Sequence, residues 1–144
     1  MKKILLSALA CMMLLTGCSK DYERDTNPGE IRYINYSEAQ KMIKEKQTFL
    51  LILSLPGCSH CIDMEAMLEE YLQDHNVIVY NAALVDDNNL ELTTEETKKE
   101  FPDYAGTPDI NYMKDGKIKD HFSGFMSAEK FDEFVKDNQL DEKK

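Results

Sequence analysis

The chain is poor in basic residues. Its 144 residues include 17 lysines and arginines against 27 aspartates and glutamates, which gives a formal net charge of −10 at pH 7. A surface of this sign repels the phosphates of nucleic acid, so nucleic-acid binding is excluded. The same charge keeps the protein off an anionic membrane surface.

Apolar runs of ten or more residues are equally scarce, because a single one occurs, over residues 4–15. It follows Lys2 and Lys3, it is too short to span a bilayer as a stable helix, and the small residues Thr16 and Gly17 come next. This arrangement predicts a secretory signal peptide over residues 1–17. Its removal leaves 15 basic residues against 27 acidic ones, a mature net charge of about −12. The mature chain has the length of one small domain, with no further segment able to cross a bilayer.

The end of the signal peptide reads Leu15-Thr16-Gly17-Cys18, which resembles the lipobox of bacterial lipoproteins. In that family the cysteine receives a diacylglyceryl group and becomes the mature N-terminus. The resemblance implies lipid attachment at Cys18; an ordinary signal peptide followed by an unrelated cysteine is the alternative. Residues 18–30 are polar and turn-prone, so we expect a tether that holds the domain off the membrane.

Cysteine is limited to four residues. Cys11 leaves with the signal peptide and Cys18 is blocked by lipid, so Cys58 and Cys61 have no other partner for a structural disulfide. The pair must be redox-active, metal-binding or a closed bridge. A structural zinc site needs four ligands, and neither a second Cys-X-X-Cys nor a His pair at ligand spacing occurs, so no metal is predicted. His75 and His121 are isolated and are expected on the surface.

The positions of Cys58 and Cys61 favour redox chemistry. They lie directly after the apolar run 49–55 and directly before an amphipathic helix. The start of a helix supplies unpaired N–H groups and positive dipole potential, which favour a thiolate over a thiol. With the second cysteine one turn along, the two sulfurs come within bonding distance and can exchange a disulfide with a substrate.

The remaining pattern predicts a β-α-β-α-β-α-β-β-α order from Ile31 onward. Apolar runs predict strands, and stripes at helical spacing behind capping residues predict helices, including a Ser37–Gln40 capping box. Asp115-Gly116 is a strong two-residue hairpin signal. The predicted strands cover 31–35, 48–54, 77–84, 108–114 and 117–122, and the predicted helices begin at Ser37, Ser59, Thr93 and Ser127.

This order resembles the thioredoxin fold, and the similarity covers residues 31–140. Four motifs carry it together: Cys58-Ser59-His60-Cys61 after a buried strand, Gly106-Thr107-Pro108, the hairpin 114–117, and Gly124 before the last helix. The resemblance implies a single α/β domain over 31–144, a thioredoxin-like fold with a central mixed sheet flanked by helices. The lipobox and the small size resemble the membrane-tethered extracytoplasmic thioredoxin-like lipoproteins of bacteria.

The resemblance also implies roles for individual residues. Cys58 is the exposed nucleophile and Cys61 the shielded resolving thiol. Thr107 and Pro108 match the family's cis-proline loop, whose peptide holds an incoming chain by strand-like hydrogen bonds, and Ser59 joins them as a predicted substrate-binding residue. The alternative for Pro108 is a trans proline that begins an edge strand.

Three positions bear on the direction of the reaction. His60 can favour the Cys58 thiolate, and a stabilised dithiol makes a stronger oxidant; oxidising and isomerising branches of the family carry His here, whereas the cytosolic reductant carries Pro. Ile52 stands where that reductant has a buried Asp, which puts reductase chemistry in doubt. Asp109 would disfavour the thiolate if it lay near the sulfur. The alternatives are a solvated His60 and a solvent-facing Asp109.

The sequence therefore predicts an extracytoplasmic, lipid-anchored thiol–disulfide oxidoreductase, with Cys58, Cys61 and His60 as catalytic residues and no organic cofactor. Oxidase or isomerase activity is favoured over reductase activity. The expected partners are extracytoplasmic clients with thiols or disulfides, together with a membrane redox partner if the protein is a reductase; a monomer is expected. The rival hypothesis is an accessory module that docks an exported client and has incidental redox activity. Copper delivery has no support, because no Met-X-X-Met run with His occurs.

Overall fold

The computed structural model describes residues 22–144. The predicted signal peptide, Cys11 and the predicted lipid site Cys18 lie outside the described residues. The order of elements is the predicted one, β-α-β-α-β-α-β-β-α. The bounds are β1 Glu30–Asn35, α1 Tyr36–Lys44, β2 Phe49–Ser54, α2 Ser59–Tyr71, β3 Ile78–Ala83, α3 Thr94–Lys98, β4 Asp109–Lys114, β5 Lys117–Ser123 and α4 Ala128–Asn138.

The strands form one mixed sheet in the order β1-β3-β2-β4-β5. β1 and β2 both run parallel to β3, whereas β4 runs antiparallel to β2 and to β5. The β4–β5 hairpin turns through Asp115 and Gly116, both with positive φ, as a two-residue turn that matches the twist of the strands requires. The predicted mixed sheet and hairpin are confirmed.

The sheet is covered on both faces, and the apolar run of β2 shows why. Its side chains alternate between two buried clusters, because successive residues of a strand point to opposite faces. Leu50 and Ile52 pack with α2 and α4 on one face. Leu51 and Leu53 pack with α1 and the segment after α3 on the other. A continuous apolar run is what a strand buried on both sides needs.

The sequence predicted a Ser or Thr cap for each of the three helices other than α2, and two of these caps are confirmed. Thr93 and Glu96 form a complete capping box at α3, and the Ser127 hydroxyl accepts from the Lys130 N–H at α4. The predicted Ser37–Gln40 capping box of α1 is wrong. β1 runs directly into α1, which begins at Tyr36 with Asn35 as an N-cap that makes no side-chain bond. Gln40 instead donates to Glu100.

Residues 22–29, the described part of the predicted tether, pack against the domain, which corrects the expectation of a free spacer. Arg24 donates from Nε to Asp141 at 2.7 Å and from Nη2 to Asp132 at 2.6 Å. A backbone hydrogen bond adds to these side-chain contacts, because the Gly29 N–H donates to Leu72 O at 2.7 Å. A side chain at position 29 would overlap the backbone at Val77, so this close approach requires glycine. We call residues 22–29 the N-terminal clamp.

Within residues 22–144, no helix combines the length and the apolar character needed to span a bilayer.

Candidate active site

The candidate site lies at the start of α2, where the loop after β2 delivers Cys58. Gly57 makes the turn with φ of 73° and has open space around its Cα. Cys58 then takes an extended conformation as the N-cap of α2. Its Sγ accepts from the Cys61 N–H at 3.2 Å, so one of the unpaired donors of the helix start points at the sulfur. This is the geometry that favours a thiolate at Cys58.

Cys58 and Cys61 are joined in a disulfide, with their Cα atoms 5.2 Å apart. That Cα separation lies within the usual range for disulfides, so the pair can open and close without large movement of the backbone. The two sulfurs differ in access. Cys58 is half-buried at the mouth of the site, while Cys61 is only 9 % exposed. The attacking role of Cys58 and the resolving role of Cys61 stay predictions, which this difference in access favours.

The loop that precedes β4 lies against the Cys58 sulfur. Its Thr107–Pro108 peptide bond is cis, as the resemblance implied, and not the trans alternative. The Thr107 hydroxyl donates to Cys58 Sγ at 3.3 Å. Thr107 O lies 3.6 Å from the same sulfur, where a reduced thiol can donate to it. The structure thus brings Cys58, Cys61, Thr107 and Pro108 together.

The Thr107 hydroxyl is a contact that the sequence did not predict, because only the backbone at Thr107 was expected to act. With the Cys61 N–H it gives the Cys58 sulfur two donors. Hydrogen bonds to the charged form lower the pKa of a titrating group. The sequence signal that could have predicted this contact was the hydroxyl of a Thr directly before the proline, taken together with the Cys-X-X-Cys motif.

Two predicted site residues, Ser59 and His60, are exposed to solvent at the start of α2. The His60 side chain is 73 % exposed, and its Nδ1 lies 3.8 Å from Asp63 Oδ2. No hydrogen bond joins His60 to Cys58 within the described residues. The solvated alternative is therefore the better description of His60 when the disulfide is closed. Ser59 is exposed as well.

Asp109 is fully buried, which rules out the solvent-facing alternative for this residue. One carboxylate oxygen lies 2.8 Å from His121 Nε2, and the other accepts from Asn111 Nδ2 at 2.7 Å. His121 was expected on the surface, yet its side chain is only 19 % exposed. Burial, followed by the charge of Asp109, raises the pKa of the neighbouring Tyr104. The Asp109 carboxylate therefore faces His121 and Asn111.

His75 also departs from the expected surface position. Its ring stacks on Tyr71 with centroids 3.9 Å apart, and its side chain is about one-fifth exposed. It lies at the far end of α2 from Cys58, beside the N-terminal clamp. Within residues 22–144, no three His, Cys, Asp or Glu side chains are grouped so as to hold a metal ion.

Comparison with known proteins places this arrangement in a family. A family model described as a thioredoxin-like domain matches residues 36–139. The chain belongs to the thioredoxin-like family. Its structure is similar to that of a mutant thioredoxin from Halobacterium salinarum, at 13 % sequence identity and a TM-score of 0.57. The match covers 82 % of this chain and 96 % of that one, and at this identity it shows the fold alone.

The Thr107 hydroxyl gives a testable prediction. Thr107→Val keeps the shape of the side chain and removes one donor to the Cys58 sulfur. Hydrogen bonds to charged groups are worth about 1.5–3 kcal/mol, so we expect the Cys58 pKa to rise by about one unit. The pH dependence of alkylation of the reduced protein measures this pKa. Thr93→Val, which changes a hydroxyl at the start of α3, is the matched control. An unchanged Cys58 pKa in Thr107→Val would contradict the assigned contact.

Proposed function

We propose that this protein is an extracytoplasmic, lipid-anchored thiol–disulfide oxidoreductase that works through the Cys58–Cys61 pair. One observation carries the proposal: Cys58 Sγ lies at a helix start, between the Cys61 N–H and the Thr107 hydroxyl, while Cys61 is shielded behind it. An accessible sulfur with donors and a shielded partner sulfur is what exchange chemistry requires.

In the reducing direction, the Cys58 thiolate attacks one sulfur of a substrate disulfide. A mixed disulfide forms at Cys58, and the other substrate sulfur leaves as a thiolate that takes a proton from water. Cys61 then loses its proton and attacks Cys58 Sγ, which closes the Cys58–Cys61 bond and releases the second substrate thiolate. Two electrons pass to the substrate. Oxidation of a client dithiol is the same sequence in reverse.

For the direction we propose oxidase or isomerase activity over reductase activity. The support comes mainly from Ile52, which is 2 % exposed in the apolar cluster beneath α2 and so offers no carboxylate to take the Cys61 proton. His60 contributes less than its position in the motif suggests, because it lies near Asp63 instead of the sulfur. A reductase supplied with electrons by a membrane partner is the second possibility.

The proposed clients are extracytoplasmic proteins or peptides with thiols or disulfides. The surface near the site has the apolar character that an unfolded client needs: Ile62 is 63 % exposed one residue after Cys61, and Phe125 is 42 % exposed. Phe125 follows Gly124, whose N–H donates to Pro108 O at 2.7 Å. Exposed apolar side chains beside a reactive sulfur favour contact with apolar segments of a client chain. We propose that the protein acts as a monomer.

The proposed location rests on Leu15-Thr16-Gly17-Cys18. We expect Cys18→Ala to release the protein from membranes, or to leave the signal peptide uncleaved, with an unchanged fold. Membrane fractionation and mass spectrometry of the native protein test this. An unmodified Cys18 in mature, membrane-free protein would refute the anchor and leave the redox assignment intact.

The accessory-module hypothesis differs in what it requires of the cysteines. Replacing Cys58 and Cys61 together with serine removes all exchange chemistry but keeps the loop 106–109 and the apolar surface. An oxidoreductase loses its cellular role in this double variant, whereas an accessory module keeps it. Complementation of a deletion strain by the double variant would therefore overturn the proposed function.

A further inference from the structure

The loop 106–109, which holds Thr107 against Cys58, is fixed from behind by β5 and the residue after it. Ser123 Oγ donates to Gly106 O at 3.3 Å, and the Gly124 N–H donates to Pro108 O at 2.7 Å. His121 Nε2 lies 2.8 Å from the carboxylate of Asp109, the first residue of β4. These three contacts reach three of the four residues of the loop.

Among these contacts the Asp109–His121 pair is the unusual one. A buried carboxylate is costly unless its oxygens are paired, and Asp109 is fully buried with one partner for each oxygen. Asn111, the partner of the second oxygen, is itself fully buried and leaves its Oδ1 without a partner. Apolar residues of similar size would serve stability at least as well. The buried pair is therefore better explained by the geometry that it imposes on the loop than by a contribution to stability.

The pair depends on an irregularity in the β4–β5 hairpin. Near the turn, Lys114 pairs with Lys117; beyond a shift at Tyr112/Met113 the register moves by one residue, so that Asn111 lies opposite His121. An uninterrupted register would place His121 opposite Ile110 and on the other face of the sheet, because a slip of one residue exchanges the two faces. The bulge puts His121 diagonal to Asp109 on the same face, within reach of its carboxylate.

We propose that Asp109 and His121 are positioning residues, which hold the Thr107–Pro108 segment where a client chain binds beside Cys58. The inference rests on the proposed function, since it concerns how a peptide substrate is seated. The pair acts through the loop: within residues 22–144 neither side chain makes a hydrogen bond to Cys58 or Cys61. Loss of the pair lets the loop move relative to β5. The hydrogen-bonding groups of the loop are then displaced from the positions in which they would bind a client strand.

The test compares binding of a peptide with reactivity of the sulfur. Steady-state exchange with a disulfide-containing peptide gives KM and kcat. Alkylation of reduced Cys58 by iodoacetamide measures the reactivity of the sulfur in the absence of a bound peptide. We expect His121→Ala to raise KM about tenfold, because a displaced loop binds the peptide less tightly in the ground state and the transition state alike; kcat and the alkylation rate should stay within about twofold of wild type. His121→Gln keeps a donor within reach and should restore KM to about twofold of wild type.

The matched control is His75→Ala, which removes another half-buried histidine that lies beside carboxylates but at the far end of α2. Its KM should equal that of wild type. A folded His121→Ala protein with an unchanged KM would overturn the inference. An alkylation rate that falls in step with kcat/KM, or a KM that rises equally in His75→Ala, would overturn it as well.

If His121→Ala does not fold, the variants Asp109→Asn and His121→Gln are compared instead. A KM that is raised in Asp109→Asn and not in His121→Gln supports the pair, and any other result overturns it. A wild-type protein without exchange activity refutes the proposed function instead.

Discussion

We expect Cys58→Ser to lose thiol–disulfide exchange, and Cys61→Ser to form mixed disulfides that it cannot release. The first result follows because Cys58 carries the accessible sulfur, with the Cys61 N–H and the Thr107 hydroxyl as donors. Loss of a catalytic nucleophile lowers turnover by several orders of magnitude, so we expect a fall of at least about a thousandfold. The second result follows because Cys61, 9 % exposed, lies in position to attack Cys58 and not a client.

Turnover of a disulfide peptide measures the first effect, and mass spectrometry of adducts with the peptide measures the second. Cys58→Ala is the control for the serine variant, because it removes the sulfur without adding a hydroxyl. Alkylation of the reduced wild-type protein checks the asymmetry independently. If Cys61 reacts faster than Cys58 at neutral pH, or if Cys61→Ser turns over normally, the assigned roles are wrong.

The second large effect is on stability, at Arg24 in the N-terminal clamp. Arg24→Met removes the cation that pairs with Asp141, whose side chain is fully buried, and with Asp132, which is about three-quarters buried. Asp141 then keeps one side-chain partner, the Tyr22 hydroxyl at 2.9 Å. Breaking a buried ion pair costs about 3–5 kcal/mol; because Arg24 is partly exposed, we expect a loss of about 2–3 kcal/mol. In a domain of this size that lowers Tm by about 10 °C.

Arg32→Met is the matched control. Arg32 pairs with Glu30 on β1, but both side chains are about half exposed, and exposed pairs contribute little. Thermal unfolding of the two variants should differ clearly, with Arg32→Met within about 2 °C of wild type. Equal Tm values for the two variants would contradict the clamp.

The clamp also makes stability depend on pH. Partial burial alone would raise the pKa of Asp132, but hydrogen bonds from Lys136, Arg24 and Tyr71 outweigh it and lower the pKa to about 2. A carboxyl group with a lowered folded-state pKa stabilises the protein above its unfolded pKa, near 4, and loses that contribution as the pH falls towards 2. We expect the free energy of unfolding of wild type, measured by denaturant titration, to fall over this window, and that of Arg24→Met to fall less. An equal fall in both proteins would contradict this account of Asp132.

The sequence predicted those features that depend on neighbouring residues. The apolar run of β2, the two cysteines at the start of α2 and the Asp115-Gly116 turn each have a local physical cause, and each lies where it was expected. Ser37 shows the limit of local signals. Its capping pattern was sound, but the direct continuation of β1 into α1 set the helix start at Tyr36.

The contacts between distant residues were missed for a different reason. Asp109 and His121 are 12 residues apart on a hairpin, yet a regular register from the turn would have placed them on opposite faces. The shift at Tyr112/Met113 has no signal in the residue types. Arg24 and Asp141 are 117 residues apart, in segments of polar composition without periodicity. Only the folded chain brings such residues together.

The reduction potential of the Cys58–Cys61 couple, measured by equilibration of the full mature protein against glutathione, tests the central claim most directly. Disulfides that exchange with clients have potentials between about −270 mV, the value of thioredoxin, and about −120 mV, that of a strong periplasmic oxidant. We expect the couple within this range, and towards its oxidising end if the protein is an oxidase or isomerase. A potential below about −300 mV, typical of structural disulfides, would mean that the bond between Cys58 and Cys61 is a closed bridge and would contradict the proposed function.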